Sequence, residues 1–326
     1  SSKFTFLPFL SLHESPAISY SSPNINYATG IQLNYLSSKF FYQIRLGFQE
    51  GFVNNDRFSN KRPYVRSIGY LDDTNSMSYS MPIFQGVISY KLNKYILLSA
   101  GNEKNTFGDG YRSLWLSDFA PAYPFMKLES TFWKVKYVNL WSLHEDQYSK
   151  GFSNLKWASS HLLSYNVTKW MNLSLFESVV WQDKDTLVNR GPDINYFNPF
   201  VFFRPVEYGI GSADNSLIGA GLKITIDKQF LIYSSFILDE FYLIEIRNRN
   251  GWWGNKYGFQ IGLKSFDLFK LDGLYSILEF NSVRPFTYSH MSSKQNYGHK
   301  NHSLAHPLES NFKEFLVLAG FQRNNI

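Results

Sequence analysis

Apolar and polar residues alternate one by one along most of this chain. In 40–49, Phe40, Tyr42, Ile44, Leu46 and Phe48 alternate with Phe41, Gln43, Arg45, Gly47 and Gln49. In 84–92, Phe84, Gly86, Ile88, Tyr90 and Leu92 alternate with Gln85, Val87, Ser89 and Lys91. The same rhythm runs through 219–226 and 257–264, and in 133–137 it sets Trp133, Val135 and Tyr137 against Lys134 and Lys136. A period of two sends successive side chains to opposite faces of a strand, whereas a helix needs 3.6. An all-β fold follows.

The pattern predicts fourteen strands: 3–12, 27–36, 39–53, 64–71, 83–92, 95–102, 127–142, 154–166, 170–182, 217–227, 229–246, 256–266, 274–284 and 313–321. Segments 111–117 and 197–204 would raise the count to sixteen. Short polar connections at Leu36-Ser37-Ser38-Lys39, Leu92-Asn93-Lys94-Tyr95, Val167-Thr168-Lys169-Trp170 and Ile226-Asp227-Lys228-Gln229 read as hairpins. Long loops fall at 54–63, 72–82, 103–126, 183–216, 246–255 and 285–312. No amphipathic helix stands out.

Strands of this length suit a tilted crossing of a bilayer, which takes about 9–11 residues. One apolar, aromatic-tipped face, tight turns and long loops are the pattern of an antiparallel transmembrane β-barrel. Tyr95, Trp141, Trp170 and Trp181 at strand ends suit interfacial girdles. A soluble sandwich or propeller is the competing architecture, but no 40–50-residue blade repeat is visible. Aromatic residues make up 18% of the chain and charged residues 18%, the latter below the ~25% usual in soluble domains. The longest apolar stretch, 230–246, is interrupted by Asp239 and Glu240 and is no helical span, and the mean hydropathy is −0.26. No signal peptide opens the chain. The chain stops just past a strand at Arg323-Asn324-Asn325-Ile326, so that strand either pairs back to the first or further strands follow. The 326 residues read as a single barrel domain, 1–326, incomplete at one or both ends.

Cysteine is absent, which excludes disulfides, thiolate metal sites and cysteine nucleophiles. The net charge of +6 is scattered with no basic run of five, so nucleic acid is not an expected partner. No cofactor is expected.

Loop 101–125, GNEKNTFGDGYRSLWLSDFAPAYPF, is dense in polar and aromatic groups. It lacks the Gly-Lys-Ser/Thr of a phosphate loop. Asp109, Tyr111, Arg112, Trp115 and Asp118 could bind a sugar, giving hydroxyls polar partners and C–H faces a ring. The plainer reading folds the loop into the lumen with Arg112 paired to a carboxylate. His290, His299, His302 and His306 cluster late, and His299 and His306 join the ligand candidates; imidazole suits Zn, Ni and Cu, but a hydrogen-bonded loop explains the cluster more simply. Ser303 and His306 are close enough in sequence to raise a lipid hydrolase, yet there is no GxSxG and nearness is not geometry. An enzyme is not expected. In GWWGN, 251–255, Trp252 and Trp253 could anchor an interface, stack on a sugar or meet a partner chain. Arg204, followed by Pro205 and Glu207, and Arg284, followed by Pro285, stand at strand ends. Both arginines are expected to point into the lumen toward carboxylates such as Glu207, Glu177 or Glu279.

Five separated stretches, 101–125, KWMNLSLFESVVW (169–181), NPFVFFRPVEYGIGSADNSLIG (198–219), GWWGNKYGFQIGLK (251–264) and 283–314, resemble the capsule-assembly Wzi-like family, and more closely its RemB-type gliding motility branch. The likeness runs from about residue 80 to the end, and only the strand pattern fits before it. It implies a bacterial outer-membrane barrel, here of roughly 14–18 strands, with long extracellular loops and an occluded lumen. It also implies either a lectin-like hold on surface polysaccharide or work beside gliding and type IX secretion components or lipoproteins. Outer-membrane lipids are the surrounding partner. A diffusion channel for small solutes is the alternative, since a barrel this wide admits water unless loops fill it.

Overall fold

The computed structural model describes residues 2–15, 24–52, 64–65, 69–70, 78–149, 152–184, 190–199, 214–248, 251–300 and 302–322. Its strands are β1 (Lys3–Ser15), β2 (Asn24–Leu36), β3 (Phe40–Phe52), β4 (Tyr64–Val65), β5 (Gly69–Tyr70), β6 (Ser78–Lys91), β7 (Ile96–Glu103), β8 (Tyr123–Phe132), β9 (Val135–Ser149), β10 (Phe152–Asn166), β11 (Met171–Gln182), β12 (Asn215–Ile226), β13 (Phe230–Glu240), β14 (Lys256–Phe266), β15 (Leu274–Val283), β16 (Gly298–His299), β17 (His302–Ser303) and β18 (Phe312–Phe321). Fourteen form one antiparallel sheet in the order β1-β2-β3-β6-β7-β8-β9-β10-β11-β12-β13-β14-β15-β18. β4 pairs with β5 and β16 with β17 as two small separate ladders. Each long strand thus pairs with its neighbour in the chain, the up-and-down arrangement of an outer-membrane β-barrel.

The alternation sorts side chains onto two walls. Phe236 and Leu238 on β13, Phe259 and Ile261 on β14, and Phe315 and Val317 on β18 face outward, and most are exposed. Val317 is 62% and Phe315 71% exposed, and comparable residues recur on β1, β3 and β6. So much contiguous apolar surface has no counterpart on a soluble monomer and belongs against lipid tails. The buried core lies on the inward wall, where Val138, Leu140, Phe176, Leu217, Ile237 and Val283 pack against loop residues. The chain is therefore a bacterial outer-membrane barrel whose core is its lumen.

Short turns close one end. Asp227 and Lys228 both take positive φ, 48° and 60°, the twist a two-residue hairpin needs. The predicted strand 127–142 is two strands: Trp133, φ 52°, opens a turn before Lys134, and β8 and β9 flank it. The missed turn carries no Gly or Asn, so composition gives no sign of it. The predicted strand 229–246 ends at Glu240, and a single helical turn covers Leu243–Arg247. Among the described residues, segment 64–71 contributes only the β4–β5 ladder, while 111–117 joins loop 104–122 through one bridge, Phe107 to Leu116. The possible strand 197–204 lies largely outside the described residues.

The girdle reading divides. Tyr95, stacked on Phe132 with 5.0 Å between centroids, and Trp170 are exposed at the short-turn end. Trp141 and Trp181 instead lie beneath segment 190–199, with Trp141 stacked on Phe197 and Trp181 against Tyr196. Arg190 holds that segment through Asp214 at 2.8 Å and Asp193 at 2.9 Å. Under and beside it, the outward row of β9–β11 turns polar, with Asn139, Ser159, His161 and Glu177 all buried. Glu177 therefore stands on the outer wall, not in the lumen where the sequence suggested it.

Candidate functional site

Two extracellular loops fill the lumen and meet at its mouth. The first, 104–122, is closed on itself by Phe107 N–H donating to Leu116 O at 2.9 Å and by Ser113 Oγ donating to Phe107 O. Gly108, φ 109°, makes the bend, where a Cβ would run into the Ser113 side chain. Trp115 then enters the wall. Its Nε1–H donates to Phe236 O at 2.9 Å and its ring stacks on Phe176. Gly219 and Gly221 on β12 leave the space that the indole occupies.

Polar groups bind the tip of the loop to the inward rows of β12–β15. Lys223 Nζ meets Asp109 Oδ1 at 2.8 Å, and Lys264 Nζ donates to the Asp109 carbonyl at 2.6 Å. Tyr111 N–H donates to Glu279 Oε2 at 2.7 Å, and Tyr233 O–H donates to the same oxygen. Gln260 Nε2 donates to Arg112 O at 2.8 Å and to Asn281 Oδ1 at 2.7 Å. Arg112 itself pairs with Asp118 at 2.9 Å. Such charge-assisted bonds inside a shielded lumen are stronger than their surface equivalents.

The second loop, 284–311, lies over the first. Ser117 N–H donates to Leu304 O at 2.7 Å, and Tyr288 O–H donates to Leu114 O at 2.8 Å. Lys156 Nζ donates to Asn296 O at 3.0 Å and Asn215 Nδ2 to Gln295 O at 2.9 Å, tying this loop to β10 and β12. The late histidines are built into it separately. His299 accepts from Glu145 N–H through Nδ1 and lies against Tyr123 and His144. His302 meets Phe119 edge-on. His306 stacks on Phe312, accepts from Leu308 N–H through Nδ1 and points Nε2 at Glu314, 3.1 Å away. With Nδ1 accepting, the proton of neutral His306 sits on Nε2, facing that carboxylate. Burial, then Lys300 and Lys156, hold His299 down to about 3; burial, then Lys104, hold His302 down to about 4. No group of three or more His, Asp or Glu spaced for a metal occurs among the described residues. Ser303 accepts from Ala305 N–H and is buried in the plug, away from lipid.

The sequence candidates thus part company. Asp109, Tyr111, Arg112, Trp115, His299 and His306 all belong to the plug, and of these Tyr111 is 41% exposed while Trp115 is 2%. Trp252 and Trp253 sit apart on the rim, 5.9 Å between ring centroids, with Trp253 58% exposed. Arg284, expected in the lumen, lies over the outward-facing ring of Tyr257 at 5.4 Å, because it follows the inward Val283 by one residue. Arg204 and Glu207 lie outside the described residues. Sequence reasoning placed Glu279 among the lumen carboxylates but missed its row-mates Gln260, Asn281 and Glu314, although each alternates with an outward aromatic or aliphatic neighbour.

Fold and site define a class: an outer-membrane β-barrel plugged from the extracellular side by its own loops. No protein-family model and no curated protein matches the chain. Among solved structures it is similar to Wzi of Escherichia coli, described as an outer membrane protein involved in group 1 capsule assembly and a carbohydrate-binding β-barrel. The TM-score is 0.55 at 14% identity, covering 96% of this chain and 64% of that one. OccK9 (OpdG) of Pseudomonas aeruginosa aligns at TM-score 0.41 and 10% identity over 90% of this chain and 84% of that one. An anion-selective porin from Comamonas acidovorans aligns at 0.38 and 10% over 92% and 94%. At such identities the likeness is one of fold, and this chain spans 64% of the length of Wzi. The motif resemblance to Wzi-like proteins is met at that level.

Proposed function

We propose that this protein is a non-enzymatic barrel that binds polysaccharide at the cell surface. The observation that carries the reading is the double plug. Leu114, Trp115 and Leu116 of one loop and Tyr288, Tyr297 and Leu304 of the other share one buried core with the wall. A lumen filled in this way is suited to display rather than to bulk flow. Inside the lumen the tip of the loop leaves Tyr111 exposed beside Arg112 and Asp118, and the rim carries Trp253, a mixture suited to sugar faces and hydroxyls. The carbohydrate binding stated for Wzi supports the same reading. Trp115 serves it indirectly, by holding the loop. Glycan-array binding by the purified barrel, lost in Tyr111→Ala or Trp253→Ala with folding intact, tests it; an unchanged profile in both variants counts against it.

Work beside gliding or type IX secretion components is proposed on the motif resemblance alone. Mild-detergent pull-down from native outer membranes tests it, and a monodisperse single chain argues against it. The channel reading is favoured by one feature: the inward rows of β2, β3 and β6 are polar and only partly buried, with Arg45 bonded to Gln32 at 3.0 Å and to Gln85 at 3.4 Å.

A further inference from the structure

We propose that the extracellular rim of β13–β15 holds a phosphate-bearing membrane lipid, its headgroup on Arg284 and its acyl chain along Phe236 and Leu238. A cavity of about 410 Å³ opens there on the outer wall, and its lining includes Phe236, Leu238, Glu245, Trp252, Tyr257 and Arg284. Its position is set by the strands. The outward row of β13 is apolar through Phe236 and Leu238, the last outward residue before the bulge at Asp239, while the short turns lie at the far end of the barrel. The cavity therefore straddles the change from tail region to headgroup region, where Trp and Tyr collect.

The guanidinium is presented, not consumed. Arg284 Nη2 donates to the carbonyls of Gly251 and Trp252, each at 3.2 Å, which fixes the plane of the group above Tyr257. Its Nε–H is buried without a partner, and Nη1, which makes no hydrogen bond among the described residues, is the donor left for a ligand. A stacked guanidinium with an unsatisfied donor is suited to a phosphate oxygen. Apolar Phe236 and Leu238 line the same cavity, as an amphiphile requires and a free sugar does not. Glu245, on the helical turn, adds a carboxylate to the lining. That second charge disfavours a bare phosphate and suits a headgroup bearing an ammonium, of the phosphoethanolamine kind.

Native mass spectrometry of the detergent-solubilised full chain tests the site, with phosphatidylethanolamine, phosphatidylglycerol, diacylglycerol and inorganic phosphate added separately. The wild type is expected to retain one phosphatidylethanolamine in preference to the other three. Arg284→Gln is expected to weaken that binding about tenfold, the loss of one charge-assisted contact. Glu245→Gln is expected to keep phospholipid but lose the preference for the ethanolamine headgroup. Heat-modifiable gel mobility separates folding from binding, and Arg284→Lys, which keeps the cation, is expected to hold lipid at an intermediate level. Diacylglycerol bound as tightly as phosphatidylethanolamine, or folded Arg284→Gln retaining lipid like the wild type, overturns the proposal. Inorganic phosphate bound as tightly as the phospholipid assigns the site to a free anion and overturns it too.

Discussion

The indole of Trp115 lies parallel to the ring of Phe176, with 5.6 Å between centroids and 4° between planes. One residue belongs to an extracellular loop and the other to a barrel strand, so this stack is where the plug becomes part of the wall. Trp115→Ala removes a fully packed aromatic and leaves a cavity, at a cost of about 3–5 kcal/mol. The expected result in urea unfolding of the detergent-solubilised barrel is a lower midpoint with a folded starting state. A change below about 1 kcal/mol would contradict the burial of the indole.

Gly219 tests the same contact from the other side. A Cβ there runs into the indole and the Phe236 carbonyl. Gly219→Val is expected to expel Trp115 and raise protease cleavage within 104–122, while Gly191→Ala, strained by its φ of 55° but on the outer wall against Trp181, is expected to leave that cleavage unchanged.

Glu279 gathers Tyr111 N–H and Tyr233 O–H on one oxygen and Asn281 Nδ2 on the other, at 2.9 Å. Glu279→Gln keeps the shape but removes the charge and puts a donor where acceptors are needed. The expected cost is about 1–3 kcal/mol. Hydrogen exchange at residues 108–112 should rise several-fold, and unchanged exchange would count against the network.

The buried histidines make the plug sensitive to acid. His299 and His302 titrate near 3 and 4 in the folded protein, against about 6.5 in the unfolded chain. Below pH 6.5 the unfolded state binds protons that the folded state refuses. Stability is therefore complete above about pH 6.5 and falls as pH drops toward 4, by about 1.4 kcal/mol per pH unit for each histidine. Urea midpoints at pH 7.5 and 5.0 check the sign; an equal or higher midpoint at pH 5.0 contradicts it.

Much of the barrel was legible because the lipid wall enforces a strict period of two, and the tight turns carried polar pairs such as Asp227-Lys228. The agreement on fourteen strands hides two offsetting errors: 64–71 stays outside the large sheet, and 127–142 divides at Trp133. The outward positions shift from even numbers up to Phe132 to odd numbers from Val135, but no Gly, Asn or Pro marks the turn. The site was less legible because its partners are far apart in sequence. Trp115 meets Phe236 across 121 positions and Tyr111 meets Glu279 across 168. Arg284 was misplaced by one residue of phase, enough to move a side chain from the lumen to the lipid face. The polar outward row at Asn139, His161 and Glu177 breaks the apolar rule where segment 190–199 and its neighbourhood lean on the wall.

The plugged lumen is tested most directly by single-channel recording of the purified barrel in planar bilayers. No conductance steps are expected from the wild type at neutral pH, and steps are expected once Trp115→Ala and Glu279→Gln together release loop 104–122. Steady open-channel current through the wild type would contradict a plugged lumen.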